Sequence, residues 1–462
     1  MNYPFKSLFS CLVGMALFIP LSPSVQAAAP DGKPYNFIVM MADDLGAKEL
    51  ACYGNTKHQT PHLDRLAAEG MRFQTCYATP ICTSTRVMIM TGCYGFHTGY
   101  FNFKSRLYSP KADSPEYDIG SKFTFADALK PSGYVTGVAG KWQLTGSLPT
   151  RVYDCGFDEY RLWAYKEDLP AGVKHTGAWE NEKSQKTSRY WHPCIMENGK
   201  VLPTTENDYG PNLYTDFLID FMTRHKDQPF FFYYPMALTH SPWDPTPDLK
   251  NPGQKTSKGL QPNVEYMDHL VGRVVAAVDK LGLSQRTIIM FMGDNGTEGS
   301  GKAKVTELGA RVPMIVRCPG TVKSQIVSDE LTDLTDVLPT LVDFAGGQLP
   351  EKQVIDGVSL APTLRGEDKP HRDWCFSYLA DGRILRDKRW LMHGTTGNMQ
   401  FFDCGDCRDG TTYQDVTTSQ HPDVVAARAK FMKLLEKLPD PTGHPGLVQP
   451  STKNKQNKKQ AK

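Results

Sequence analysis

Two acidic pairs, Asp43-Asp44 and Asp294-Asn295, each follow a continuous apolar run, residues 35–41 and 287–292. If those runs are neighbouring strands, their ends lie about 5 Å apart and four hard oxygen ligands meet in one place. Three uncompensated carboxylates in one pocket repel and raise each other's pKa. A divalent cation removes that conflict, and an oxygen set points to Ca2+ or Mg2+ rather than zinc. The plainer reading has each pair capping a helix of its own. Cys82-Thr83-Ser84-Thr85-Arg86 precedes residues 87–92, which read as a short helix ending at Gly92. A cysteine at a helix start has a stabilised thiolate, and the same N–H groups can hold an anion. Taken alone, the segment reads instead as a cysteine packed under a sheet or held in a disulfide. Lys141, His240 and Lys302, each taken singly, read as surface residues.

The elements that must position these residues share one design. Residues 35–41, 134–139, 230–234 and 287–292 are continuous apolar runs, the pattern of strands buried on both faces. Each delivers polar groups at its carboxyl end: Asp43-Asp44, Lys141, His240 (through residues 235–238) and Asp294-Asn295. In open α/β sheets that edge binds ligands. Between the runs, Thr60 caps a helix that begins at Pro61 and stops at Gly70, and residues 262–281 form a long amphipathic helix. The expected class is α/β, a large, mostly parallel sheet flanked by helices.

Residues 160–211 interrupt the alternation. They are rich in Trp, Tyr, Lys, Glu and His, with a hairpin turn at Asn198-Gly199, and read as an elaborated loop region for substrate selection or as surface decoration. From residue 370 the texture changes again. Residues 374–379, 384–392 and 399–403 read as antiparallel strands and 424–438 as a helix, a smaller C-terminal α+β subdomain. The expected division is a signal peptide at 1–27, a catalytic domain at 28–369, this subdomain at 370–440 and a disordered basic tail at 441–462.

Composition narrows the partners. Fifty-two Lys plus Arg against 50 acids leave a net charge of +2 in 462 residues, too weak a field for nucleic acid or an anionic membrane. The tail from Ser451 holds five lysines and no acid, so the remainder is slightly acidic. The start has a positive residue, an apolar stretch and a small-residue cleavage pattern at Val25-Gln26-Ala27, the signature of an export signal. No later run reaches the roughly 18 apolar residues of a membrane span. The chain is therefore expected to be periplasmic or secreted, where disulfides are permitted. Cys404-Gly405-Asp406-Cys407 reads as a small disulfide or two free thiols in preference to a zinc site.

Together these motifs resemble, in order, those of the sulfatase family of the alkaline-phosphatase superfamily. Asp43-Asp44 with Gly46 resembles the opening metal motif, residues 60–67 (TPHLDRLA) the first helix signature, and Cys82 to Arg86 the C-x-P-x-R modification sequence. Gly140-Lys141-Trp142, His240 with Pro242, and residues 293–296 (GDNG) followed by Lys302, Glu307 and residues 311–313 (RVP) complete the set. The resemblance implies an alkaline-phosphatase-like fold and a sulfuric ester hydrolase acting through formylglycine made from Cys82 by a formylglycine-generating enzyme. As a gem-diol, that group attacks sulfur with one oxygen, and collapse to the aldehyde expels sulfate. It further implies that Asp43, Asp44, Asp294 and Asn295 bind Ca2+ (or Mg2+) beside Cys82. Arg86 holds the cluster, Lys141 and Lys302 bind sulfate oxygens, and His240 gives a proton to the departing alcohol.

Two positions depart from the family pattern. Ser84 replaces the proline of the modification motif, and Gln143 replaces a histidine after G-K-W. An amide has no useful basicity at neutral pH. Gln143 is then expected to orient water or a sugar hydroxyl, with His97 an alternative base or simply a structural histidine. Export and the aromatic, polar stretch at 160–211 favour a carbohydrate sulfate. The competing readings are a phosphodiesterase or phosphonate monoester hydrolase of the same superfamily, and a non-catalytic protein that binds sulfated glycans.

Overall fold

The computed structural model describes residues 28–101, 119–144, 150–166, 169–170, 172–183 and 186–438. The expected export signal and basic tail lie outside the described residues.

The four continuous apolar runs become four adjacent strands at the centre of one ten-stranded sheet. In spatial order these are Thr287–Gly293, Asn36–Ala42, Phe230–Pro235 and Val135–Gly140, all parallel. Side chains of one strand alternate between two apolar cores. Phe37, Val39 and Met41 enter one, with residues of the helices Cys82–Thr91 and Val337–Phe344. Ile38, Met40 and Ala42 enter the other, with residues of the helices Pro61–Ala68, Gly210–Arg224 and Leu260–Lys280. Burial on both faces is why these strands lack polar alternation. The helix expected at 262–281 is Leu260–Lys280, and its apolar stripe from Val264 to Val278 is buried.

The flanks are mixed. Met314–Arg317 runs antiparallel beside Thr287–Gly293 and Met71–Tyr77 runs antiparallel to it in turn; Ile326–Asp333 closes that edge in parallel. On the other side Glu159–Trp163 pairs with Val135–Gly140 in parallel. The Asn198-Gly199 hairpin, Ile195–Glu197 with Lys200–Leu202, then pairs antiparallel onto Glu159–Trp163. The hairpin expected at Asn198-Gly199 is present, and this part of the elaborated loop region extends the main sheet. Arg161 and Glu197 face each other across the register and pair at 2.6 Å, which accounts for the charge in those strands.

Five antiparallel strands form the C-terminal sheet: Cys375–Leu379, Gly382–Arg386, Trp390–Thr395, Asn398–Asp403 and Gln414–Asp415. The single strand expected at 384–392 is two, because the Asp387 carboxylate accepts the N–H groups of Arg389 and Trp390 and turns the chain. The last helix, Pro422–Lys437, sets Phe431 against Phe401 at 5.4 Å. Another correction concerns Thr60: its hydroxyl accepts from Ala51 N and does not cap the helix behind it.

Candidate functional site

Register brings the acidic pairs together. Ala42 pairs with Gly293, so Asp43-Asp44 and Asp294-Asn295 leave adjacent parallel strands at the same level. Asp44 N–H donates to Asp294 Oδ1 at 2.8 Å, and Asn295 Nδ2 donates to Asp44 Oδ1 at 2.9 Å. Asp43 N–H donates to Leu238 O and Thr239 N–H returns to Asp43 O, tying in the segment that carries His240. Lys141 follows the next strand, and its ammonium binds Asp43 Oδ2. Arg86, on the helix Cys82–Thr91, binds Asp294 Oδ2 at 2.8 Å and Lys141 O at 2.6 Å, and lies 3.5 Å from Asp43 Oδ1. Lys302 binds Asp44 Oδ2 at 2.6 Å and lies 3.0 Å from His240 Nε2. These residues therefore converge, and Gln143, two positions after Lys141, is buried with its Oε1 unpartnered.

Gly140 makes this convergence possible. Its φ is +122°, and a Cβ there would stand 2.0 Å from Pro235 O, the carbonyl that accepts the Lys141 N–H. Gly140→Ala must push the strand ends apart or strain the backbone, at a cost of about 1–3 kcal/mol. Activity is expected to fall further than stability, because Lys141 moves with the strand; thermal midpoint and turnover, measured together, check this.

Electrostatics divide the carboxylates. Burial pushes Asp294 up to about 8 and Asp44 to about 6, with Asp43 adding to both. Burial also opposes ionisation of Asp43, but the cations around it, Lys141 first and then Arg86 and Lys302, outweigh it and hold Asp43 well below the usual range. Two buried oxygens, Asp43 Oδ1 and Asn295 Oδ1, have no hydrogen-bond partner. Ligand atoms of Asp43, Cys82 and Asp294 lie within 4.8 Å of one another, as do those of Asp43, Asp44 and His240. Orphaned hard oxygens among mutually repelling carboxylates fit a divalent cation.

Cys82 begins its helix fully buried, with a free thiol. The stabilised thiolate expected of a helix start is not found: burial raises the thiol's pKa, and Asp294, Asp43 and Asp44 reinforce that against Lys141. Among the described residues Cys52, Cys76, Cys93, Cys318, Cys375, Cys404 and Cys407 also carry free thiols. Ser84 is buried with its hydroxyl unpartnered. His97, the alternative base, pairs with Asp356 at 2.9 Å. His240 is held neutral, its pKa driven well down by burial, Lys141 and Arg189.

Sequence reasoning missed Arg189. It is 1% exposed, its Nε and Nη2 are clamped by Glu180 at 2.8 and 3.0 Å, and its plane lies 4.3 Å from Trp163. Its unpartnered Nη1 stands 3.9 Å from Asp43 Oδ2. Glu298, which binds Lys302 and Ser241, was also missed. No spacing signals either; each acquires its role through segments that meet only in the fold.

An acidic cluster able to hold a metal lies at the carboxyl edge of this sheet, and the sheet with its flanking helices is the alkaline-phosphatase-like fold. The Sulfatase family model matches residues 35–347, and the chain belongs to that family of sulfuric ester hydrolases. Arylsulfatase A of Bos taurus is 30% identical over 442 residues, covering 88% of this chain and 82% of the relative. N-acetylgalactosamine-6-sulfatase of Mus musculus is 29% identical over 389 residues, covering 78% and 72%. A solved structure in complex with its substrate D-glucosamine-2-N,6-O-disulfate shares the fold, with a TM-score of 0.68 at 20% identity over 90% of this chain and 100% of that one. Among the described residues no helix is long and apolar enough to cross a membrane.

Proposed function

We propose that this sulfatase hydrolyses the sulfate ester of a carbohydrate, in the periplasm or outside the cell, using formylglycine at position 82 and Ca2+. The observation that carries this reading is the meeting of Cys82, Asp43, Asp44, Asp294, Asn295, Arg86, Lys141, His240 and Lys302 at the ends of four central strands. A carbohydrate substrate is supported by the glucosamine disulfate bound in the related structure and the N-acetylgalactosamine-6-sulfatase among the relatives.

The cation would be held by Asp43, Asp44, Asp294 and Asn295, with position 82 beside it, and supplies a Lewis acid for a sulfate oxygen. The modified residue 82 supplies the nucleophile. Arg86 fixes Asp43 and Asp294 relative to the helix that carries residue 82, so nucleophile and carboxylates keep one geometry. Lys141 and Lys302 offer ammonium groups to the sulfuryl oxygens. Lys302 stays protonated, because Asp44 outweighs the opposing effect of burial. His240 is neutral, and its Nε2 faces the Lys302 ammonium. Lys302 can therefore return the proton that His240 gives to the departing oxygen, since the two nitrogens stand 3.0 Å apart. Gln143 orients a substrate hydroxyl or a water.

Matched sulfate and phosphate esters of one sugar, assayed with protein from its native host, test the reaction. Dominant phosphate turnover would overturn the reading in favour of a phosphonate or phosphodiester hydrolase. An unmodified Cys82 in the tryptic peptide 73–86, with no sulfate release, would favour a glycan-binding protein. Chelation is expected to lower the thermal midpoint, and Ca2+ at a hundredfold excess over its Kd to restore about 2.7 kcal/mol. Restoration by Mg2+ and not Ca2+ would reassign the ion.

A further inference from the structure

Cys404 and Cys407 lie in the C-terminal sheet, outside the catalytic cluster. Gly405 adopts φ 50°, and Cys407 N–H donates to Cys404 O at 2.9 Å, which closes a β-turn. The end residues of such a turn approach within about 7 Å, Cα to Cα, the upper reach of a disulfide. Both thiols are free and they differ in setting. Cys404 is buried, and Arg386 Nη1 stands 3.1 Å from its sulfur. Cys407 is half-buried, its sulfur 2.9 Å from Asp409 Oδ1 and 3.7 Å from Thr411 Oγ1.

The two thiols also differ in acidity. Burial pushes Cys404 up to about 12. Burial and Asp409 oppose ionisation of Cys407, yet hydrogen bonds from Thr412 and the backbone of Asp409 and Thr412 bring it below its ordinary range. The accessible thiol is thus the better attacker at neutral pH, and the shielded one is placed to resolve. Arg386 holds both ends of the turn, donating to Cys407 O at 3.0 Å beside the Cys404 sulfur. The same guanidinium binds Tyr413 at 2.6 Å and Glu307 at 3.2 Å. Glu307 also accepts from Tyr77, three residues before Pro80 and the segment leading to Cys82.

We propose that Cys404 and Cys407 form a dithiol site that reacts with a disulfide-bearing oxidant and closes to an intramolecular disulfide. The Cys407 thiolate attacks one sulfur of the oxidant, forming a mixed disulfide and releasing the first thiol. The Cys404 thiolate then attacks the Cys407 sulfur and expels the second thiol. Two protein S–H bonds are lost, one S–S bond forms, and the oxidant's S–S bond is reduced to two S–H groups. The turn shares Arg386 with Glu307 and Tyr413 and contains no residue of the catalytic cluster.

The test uses the full-length, reduced protein and hydroxyethyl disulfide as oxidant, followed by acid quench, alkylation of remaining thiols under denaturing conditions and trypsin. Peptide 390–408 carries these two cysteines and no other. In the native chain it is expected to lose both alkylation sites and two hydrogens. Cys404→Ser should stop at a stable mixed disulfide on Cys407, and Cys407→Ser should react at Cys404 at least about tenfold more slowly than the native pair. Two alkylated thiols at saturating oxidant, a native chain arrested at the mixed disulfide, or Cys407→Ser reacting at the native rate would each overturn the assignment. Circular dichroism of both variants confirms that the thiols are compared in folded protein.

Discussion

Cys82→Ala is expected to abolish sulfate release while leaving the protein folded. A buried thiol whose pKa is raised by burial is a poor nucleophile as it stands, and the proposed reaction runs through its conversion to formylglycine. Alanine leaves nothing to convert. Loss of a sole covalent nucleophile in a preorganised site costs on the order of 10^4–10^6-fold in turnover. The structural cost is small by comparison. Among the described residues no side-chain cap holds the start of the helix Cys82–Thr91. Removing one buried sulfur is worth about 1 kcal/mol, the centre of the usual range for a single substitution. Turnover of a sulfated sugar, read beside the thermal midpoint, separates the two effects. A Cys82→Ala enzyme that keeps turnover within a factor of about ten would show that the Lys and Asp residues catalyse without a covalent step. Cys82→Ser tests the same point with an oxygen in place: a serine lacks the second hydroxyl that would expel sulfate, so any reaction should stall after one turnover.

The centre of this fold and site was legible because burial writes itself into composition. The strands Asn36–Ala42, Phe230–Pro235 and Thr287–Gly293 lie wholly inside, Val135–Gly140 nearly so, and all four read as continuous apolar runs ending in polar groups. The outer strands obey another rule. Met71–Tyr77 alternates buried and half-buried positions at its start, and Ile326–Asp333 exposes Ile326 and Val327 and carries a register shift after Ser328. Period and composition there resemble a loop. The strand Glu159–Trp163 was obscured by Arg161, whose charge is answered by Glu197 only when the hairpin folds back. Arg189 was hidden for the same reason. Its burial is tolerable because Glu180 takes two of its nitrogens and Trp163 covers its face, contacts between positions with no common spacing. The helix dipole argument for Cys82 failed because a helix start favours a thiolate only where the field is not overwhelmed by desolvation and three neighbouring carboxylates.

Asp43→Ala is expected to remove cation binding and, unusually for an active-site change, to destabilise the cation-free protein. Asp43 is the carboxylate on which the buried cations converge: Lys141 binds Oδ2, Arg189 Nη1 stands 3.9 Å from that same atom, and Arg86 lies 3.5 Å from Oδ1. The cations do not suffer equally from its loss. Arg86 keeps Asp294 at 2.8 Å, and Arg189 keeps Glu180. Lys141 is fully buried, and Asp43 is the acid its ammonium binds. Removing one partner of a buried pair costs about 3–5 kcal/mol, since the charge left behind has neither water nor a counter-ion. Lys141 has one escape, loss of its proton, and its pKa is already lowered by burial against the pull of Asp43. Asp43→Asn retains the shape but not the charge, and should fall between the native chain and Asp43→Ala. The contrast with Asp44 is diagnostic. Lys302 keeps Glu298 at 3.3 Å when Asp44 is removed, and it is partly exposed, so Asp44→Ala should lose cation affinity with a smaller penalty in chelator. Thermal midpoints in chelator and in Ca2+ read both quantities on each variant. If Asp43→Ala melts with the native protein in chelator, the cations around Asp43 are not held there by its charge, and the electrostatic account of the site fails.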